Sequence, residues 1–269
     1  MPIRPFLKMN KCMETIPLVV LSCDKYSDLW DGFFHQLNQN FPYPKEIYLV
    51  TNEKDYASPL FQDLKIIKTG KDIDWSTSLA KAIDQIPHKF YFLILEDIFI
   101  SELVNEADYR EVIEFAFRSN VQHLKYFASP KPNTSINPKV GRYDPGMPYS
   151  VTVCGIWDRS YLRSLIIPGE SPWHFELNGS YRAKYSAERF YGLRENLFSY
   201  KNMVEKGLWI VGSRDWAIRL GIPIRVDARQ SVAQGIFQSK KIYFDLIQRI
   251  SWRARLRVIE FIKRMLISY

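Results

Sequence analysis

FYFLILEDIFI, residues 90–100, is an apolar run that stops abruptly at two adjacent carboxylates. Its first six residues, Phe90 to Leu95, are rich in Phe, Tyr, Leu and Ile and cannot sit in water. They predict a strand buried on both faces. Glu96 and Asp97 then fall where that strand leaves its sheet. Open α/β sheets bind ligands at the carboxyl ends of their strands. The pair is therefore placed to meet a polar ligand, a metal ion or a ribose. The competing reading is a strand-end acid that caps the next helix.

Strand and helix patterns alternate on either side of this run. IPLVVLS (16–22) reads as a first buried strand, and 28–38 as a helix after a polar turn. A second strand is expected at 46–50 and a short third at 64–68. Residues 75–86 predict a helix with Leu79, Ile83 and Ile86 on one face, opened by Asp74 or Ser76 as cap. Another helix is expected at 106–119. Such alternation implies right-handed crossovers and a mostly parallel sheet with helices on its faces.

The texture then changes. SPKPNTSINPKVGRYDPGMPY (129–149) holds five prolines and two glycines, too broken for a regular element. A long irregular segment in a compact domain is usually a functional loop or lid. A strand resumes at 150–157 and a short helix at 161–166. A loop with Pro168, Gly169 and Pro172 delivers SPWHFE (171–176), from which a helix continues. The division expected is one catalytic domain, 1–239, and a helical tail, 240–269.

Composition narrows the function classes. The chain has 269 residues, 46% hydrophobic and 15% aromatic, enough for a substantial α/β core. Three scattered cysteines (Cys12, Cys23, Cys154) fit neither a disulfide framework nor a zinc site and agree with a reducing cytoplasm. The four histidines show no metal-ligand spacing. MPIRPFLKMNKCMETIP (1–17) has no secretory apolar core, and no segment offers the roughly 18 unbroken apolar residues of a spanning helix. No Gly-rich dinucleotide fingerprint, phosphate loop or Gly-x-Ser-x-Gly elbow is present, which weighs against dehydrogenases, P-loop kinases and serine hydrolases.

The order of the remaining features resembles the GT-A type glycosyltransferases, especially bacterial ones that build capsule or lipopolysaccharide chains. The pieces that carry the resemblance are VVLSCDKYSDLW (19–30), DWSTSLAKAIDQI (74–86), FLILEDIFI (92–100), CGIWDRSYLRSLI (154–166) and ESPWHFE (170–176), with KNMVEKGLW (201–209) a weaker match. They span roughly residues 16–210. The resemblance implies a GT-A-like, Rossmann-like mixed sheet and transfer of a sugar from a nucleotide-diphosphate donor. It also implies that Glu96-Asp97-Ile98 stands for the family's DxD-like motif, which grips the ribose and a divalent metal on the diphosphate. The third position here is not an acid, so Mn²⁺ or Mg²⁺ would rest on Asp97 and the donor itself. Lys201, Lys206 or Arg214 could neutralise the leaving group in its place; each could equally be an ordinary surface cation.

The resemblance also assigns Glu176 as general base, removing the proton of an acceptor hydroxyl in an inverting transfer. Trp173 and Phe175 would raise its pKa and stack on a sugar face. Read from the residues alone, Glu176 could be a helix-start acid favoured by the dipole; Glu170 is the second choice for base. Ser22, Asp24 and Tyr26 are expected to cradle the nucleotide, with Asp24 accepting a hydrogen bond, Tyr26 stacking and Trp75 completing the pocket. The competing reading makes Asp24 and Ser27 turn caps and Trp75 core. Trp157, Glu170 and Trp173 are the expected acceptor contacts.

The net charge of +8 is uneven, since residues 240–269 carry eight Lys or Arg against two acids, +6 in all. Ile247, Ile250, Ala254, Val258, Phe261, Ile262 and Met265 recur at helical spacing, with Arg249, Arg253, Arg257 and Arg264 largely opposite. A basic amphipathic helix of this kind suits an anionic membrane surface, although its apolar face could instead pack on the catalytic domain. The expected partners are a nucleotide-sugar donor, a glycan or lipid-linked glycan acceptor and that membrane, on the cytoplasmic inner face. The rival readings are a nucleic-acid binder using the basic aromatic tail, disfavoured by the nearly neutral body, and a non-catalytic scaffold of the same fold.

Overall fold

A computed structural model describes residues 15–231 and, beyond them, Ala254. Cys12 and, apart from Ala254, the amphipathic tail expected at 240–269 lie outside the described residues. In chain order the elements are β1 (Leu18–Leu21), α1 (Trp30–Asn40), β2 (Ile47–Thr51), β3 (Lys65–Lys68), α2 (Trp75–Gln85), β4 (Phe90–Leu95), β5 (Ile98–Ile100) and α3 (Glu106–Arg118). There follow β6 (His123–Lys125), β7 (Thr134–Ser135), β8 (Val140–Arg142), β9 (Gly155–Asp158), α4 (Arg159–Leu165) and α5 (Pro172–Arg182). After these come β10 (Phe190–Leu193), β11 (Tyr200–Asn202), β12 (Val204–Glu205), β13 (Leu208–Trp209) and α6 (Ser213–Arg219).

Nine strands form the main sheet in the order β3-β2-β1-β4-β9-β6-β10-β8-β7. Strands β3, β2, β1 and β4 are mutually parallel. β9 lies antiparallel between β4 and β6, which therefore point the same way. With β10 parallel to β6 and antiparallel to β8, only β9 and β8 run against the rest. The sheet is mixed and mostly parallel.

The period-2 pattern of β4 shows why this strand is apolar throughout. Phe92 and Ile94 face a core shared with α1 and α3, where Phe33, Phe34, Tyr109 and Ile113 pack. Tyr91 and Leu93 face the opposite core, with Leu79 and Ile83 of α2, Leu162 of α4 and Phe175 of α5. A strand covered by helices on both sides cannot alternate with polar residues. Capping is also local: Asp74 accepts from the Thr77 amide at 2.8 Å and Ser171 from His174 at 3.3 Å, fixing where α2 and α5 begin.

Two expectations are corrected. The strand expected at 150–157 is only Gly155–Asp158; the buried residues before it connect to α5 instead of a neighbouring strand. A side chain at Gly155 would strike His123, since its Cβ would fall 2.4 Å from the ring Cε1, so β9 starts where the backbone can pass that ring. The proline-rich segment is not wholly irregular either. It contains β7 and β8, which extend the sheet edge beyond β10. Among the described residues, no helix is long and apolar enough to cross a membrane.

Candidate active site

β1 and β4 end together. Their register pairs Leu21 with Leu95, which sets Ser22 beside Glu96 at the carboxyl edge of the sheet. The Ser22 hydroxyl lies within hydrogen-bonding reach of the Glu96 carboxylate and accepts from the Trp30 indole N–H at 2.8 Å. Glu96 is buried and Asp97 half-buried. Desolvation first, and the neighbouring Asp97 second, push the Glu96 carboxyl well above its ordinary range. Asp97 is raised as well, by burial, against the opposing pull of Arg229. Two adjacent acids that resist losing both protons form a site that gains from an incoming cation. Behind them, the Asp97 carbonyl accepts from the Met203 amide at 2.8 Å, and β11 pairs antiparallel with β5, so the 200–213 segment is built onto the acid pair.

The turn after β1 carries Asp24 and Tyr26. The Asp24 carboxylate accepts from the amides of Asn52, Glu53 and Lys54 at 3.0–3.2 Å, while its own amide donates to the Asn52 side chain. Asp24 therefore fastens the first turn to the end of β2, and its acceptor capacity is largely spent there, a correction to the expectation that it accepts from a nucleotide. Tyr26 is half-buried, and the guanidinium of Arg229 stacks over its ring at 4.2 Å from the centroid. Arg229 is also bonded to both oxygens of Asp28 at 2.6 and 2.7 Å, to the Lys25 carbonyl at 2.9 Å and to the Gly207 carbonyl at 3.3 Å. Sequence reasoning missed Arg229. It lies about 200 residues from Lys25, Tyr26 and Asp28, and nothing in ARQS (228–231) marks it as more than one basic residue among many.

Glu176 sits one turn into α5, half-buried, with Oε1 accepting from the Val153 amide at 3.0 Å. Val153 leads into β9, and β9 is hydrogen-bonded to β4, with Gly155 opposite Leu93. Glu176 is thereby brought to the sheet edge where β4 ends. Cys154 marks the overlap: its buried thiol is pushed well up, first by desolvation, and feels both Glu176 and Asp97. Burial raises the Glu176 carboxyl, against the Val153 amide and the charge of Lys125, which lower it. Its other oxygen accepts no hydrogen bond from the described residues.

Other expected site residues fall elsewhere. Trp157 is wholly buried, its ring stacked on His123 with centroids 3.8 Å apart and its N–H given to the Thr152 and Val153 carbonyls. No ring face is left for an acceptor, so that expectation is corrected. Glu170 is likewise not an available base or acceptor contact: both its oxygens receive the Arg182 guanidinium, at 2.8 and 2.7 Å. Trp75 packs on Phe175, centroids 5.5 Å apart, on the α5 side of the site. Trp173 is 56% exposed, and the Lys206 ammonium stands 5.9 Å from its ring centroid. Lys206 and Gly207 both have positive φ, the two-residue turn that joins β12 to β13. Lys201 is half-buried on β11, opposite Phe99, and Arg214 reaches Asp215 at 3.5 Å.

Among the described residues, no three His, Cys, Asp or Glu side chains converge as a metal cage. Glu96 and Asp97, which no Lys or Arg among the described residues bonds, fit a hard cation that takes its remaining oxygen ligands from substrate phosphates and water.

No protein-family model matches the chain, and no curated protein does. Solved structures do. TarS of S. aureus superposes with a TM-score of 0.50 at 12% identity, over 72% of this chain and 37% of TarS. Residues 1–349 of TarS in complex with UDP give 0.49 at 13%, over 70% and 60%. The glycosyltransferase GlyE of Streptococcus pneumoniae TIGR4 gives 0.28 at 15%, over 36% and 27%. The chain thus spans little more than a third of TarS, and the likeness concerns the fold. That fold is GT-A-like: a mixed, mostly parallel sheet flanked by helices, with its acid pair at the end of the fourth strand.

Proposed function

We propose that the chain is a glycosyltransferase that moves a sugar from a nucleotide-diphosphate donor to an acceptor hydroxyl, with inversion. The observation that carries this reading is the shared edge: the Val153 amide holds the half-buried Glu176 at 3.0 Å, just before β9 pairs with the end of β4 that bears Glu96 and Asp97. The donor's ribose and diphosphate would lie against Glu96 and Asp97, with Tyr26 offering the ring face opposite Arg229 to the base. A divalent cation held by Asp97, with Glu96 behind it, would offset charge on the leaving diphosphate.

In the reaction the acceptor oxygen bonds to the anomeric carbon as the bond to the diphosphate oxygen breaks and its electron pair leaves with the nucleotide. The acceptor proton passes to the second oxygen of Glu176. A carboxylate raised by burial is a stronger base than one in water, which suits it to an alcohol. Exposed Trp173 stands one helical turn before Glu176 and would present its ring to the acceptor sugar, with Lys206 beside it. The acceptor in this proposal is a lipid-linked or surface polysaccharide, and the tail at 240–269 would hold the enzyme on the inner membrane face. Thermal-shift screening against UDP-, GDP-, CMP- and dTDP-sugars, with and without Mn²⁺, tests the donor class. One nucleotide should raise Tm well above the others; RNA binding without any nucleotide effect would overturn the reading.

A further inference from the structure

Three consecutive residues at the start of α2, Asp74, Trp75 and Ser76, all reach the segment that delivers Trp173 and Glu176. Capping α2 takes only the bond from the Thr77 amide to the Asp74 carboxylate, at 2.8 Å. The same carboxylate oxygen also accepts from the Gly169 amide at 3.1 Å, 95 residues away. The Ser76 hydroxyl donates to that oxygen at 2.7 Å and accepts from the Glu170 amide at 3.1 Å. Between these two, the Trp75 ring packs on Phe175, which is wholly buried and directly precedes Glu176. Neither long-range amide bond belongs to the cap of α2, and α5 has its own cap in Ser171.

What holds this lead-in is passed on to the helix. Gly169 makes the turn at a φ of +88°, Ser171 caps α5, and Pro172 occupies its first position with a fixed φ. The chain from Gly169 to Trp173 therefore has little freedom of its own. Ser76 is fully buried, and its hydroxyl is used both as donor and as acceptor. Removing it would leave the buried Glu170 N–H without an acceptor, a state that folded proteins avoid. The lead-in would shift to satisfy that amide and take Trp173 and Glu176 with it.

Resting on the reading of Glu176 as base, we propose that Asp74 and Ser76 are positioning residues for the transfer. Their bonds to the Gly169 and Glu170 amides set where Glu176 and Trp173 stand. They act on the α5 side of the site and touch neither Glu96 nor Asp97, so they govern the chemical step and not the hold on the nucleotide.

Ser76→Ala is the test, because it removes the Glu170 bond and leaves the Asp74 cap in place. The first reading is kcat for nucleotide release from whichever UDP-, GDP-, CMP- or dTDP-sugar most raises Tm, with nucleotide affinity measured alongside. The second needs no turnover: the ¹⁹F resonance of Trp173 in fluorotryptophan-labelled protein, assigned through Trp173→Phe. In Ser76→Ala, kcat should fall by about ten- to a hundredfold, the span that a small misplacement of a reacting group costs, with nucleotide affinity within about twofold of wild type. The Trp173 resonance should move in the same variant. Asp74→Asn keeps the oxygen that accepts from Ser76, Thr77 and Gly169, and asparagine caps as well as aspartate, so both readings should match wild type. Asn105→Ala, which removes the cap of α3, should lower stability and move neither reading. Wild-type kcat in Ser76→Ala, an unmoved Trp173 resonance, or an equal fall of kcat in Asn105→Ala would each overturn the proposal. Should Ser76→Ala not fold, Asp74→Ala measured against Asn105→Ala gives the same two readings. Failure of Glu176 as base shows separately, as wild-type kcat in Glu176→Gln, and the Trp173 resonance still reports on the tether.

Discussion

Arg229 stacks on Tyr26 with its guanidinium carbon 4.2 Å from the ring centroid, and the same guanidinium grips both oxygens of Asp28. One side chain from the end of the described chain thus fixes the turn that follows its first strand. One face of Tyr26 is already covered, which presets the ring angle for any base on the other face.

Arg229→Met should therefore weaken nucleotide binding by tenfold or more, with kcat at saturating donor within about threefold of wild type. Calorimetry with the free nucleotide and steady-state kinetics would separate the two. Equal losses in donor affinity and kcat, or no loss in affinity, would contradict the assignment.

Glu176→Gln should lower turnover by about 10²–10⁴, the usual span for a lost general base, with donor binding largely kept. The pH dependence follows from the direction of its shift. Burial raises the Glu176 carboxyl, and only the ionised form accepts a proton, so activity should fall with decreasing pH through a midpoint above the ordinary glutamate value of about 4.3. A profile flat down to pH 4 would show that Glu176 is not the group that titrates.

Glu170 and Arg182 predict a stability effect instead of a catalytic one. Burial alone would raise the Glu170 carboxyl, but hydrogen bonds from Arg182 and Asn178, with the Arg182 charge, outweigh it and hold the group below its usual range. A carboxyl lowered by folding contributes stability above its unfolded pKa and loses it as pH falls toward the folded one. Glu170→Gln leaves the guanidinium without its counterion and should cost about 3 kcal/mol at neutral pH, the lower end for breaking a buried pair. Urea denaturation at pH 7 and pH 3 should show the difference between variant and wild type shrinking in acid. A pH-independent difference would mean that the pair is not the cause.

Truncation before Lys240 should abolish binding to anionic vesicles, and high salt should weaken it in the full chain. Each Lys or Arg near such a surface contributes about 1 kcal/mol, and the segment carries eight. Flotation with phosphatidylserine vesicles measures it; binding that survives truncation assigns the contact elsewhere.

What the sequence revealed tracks how local each signal was. The strand Phe90–Leu95 and the Asp74 cap, one of the two caps the sequence offered, depend on neighbours within a few residues and are found where they were expected, whereas α5 begins at Pro172, inside SPWHFE and not beyond it. Trp157 was misread because a tryptophan near a strand end gives no sign of whether its ring meets solvent or, as here, His123. Asp24 looks the same in sequence whether its carboxylate awaits a ligand or is filled by three amides from the end of β2. Arg229 and the salt-linked Glu170 depend on partners fixed only by the completed fold. The place of Glu96 and Asp97 at the end of the fourth strand was legible because the apolar run stops there.

The most direct test is titration of the preferred nucleotide diphosphate into wild type and Asp97→Asn, with Mn²⁺ present. Saturable binding in wild type, weakened at least tenfold by Asp97→Asn while Glu170→Gln binds as wild type, is the predicted result. No binding of any nucleotide to the wild-type protein, or full affinity in Asp97→Asn, would contradict a donor site at the end of the fourth strand.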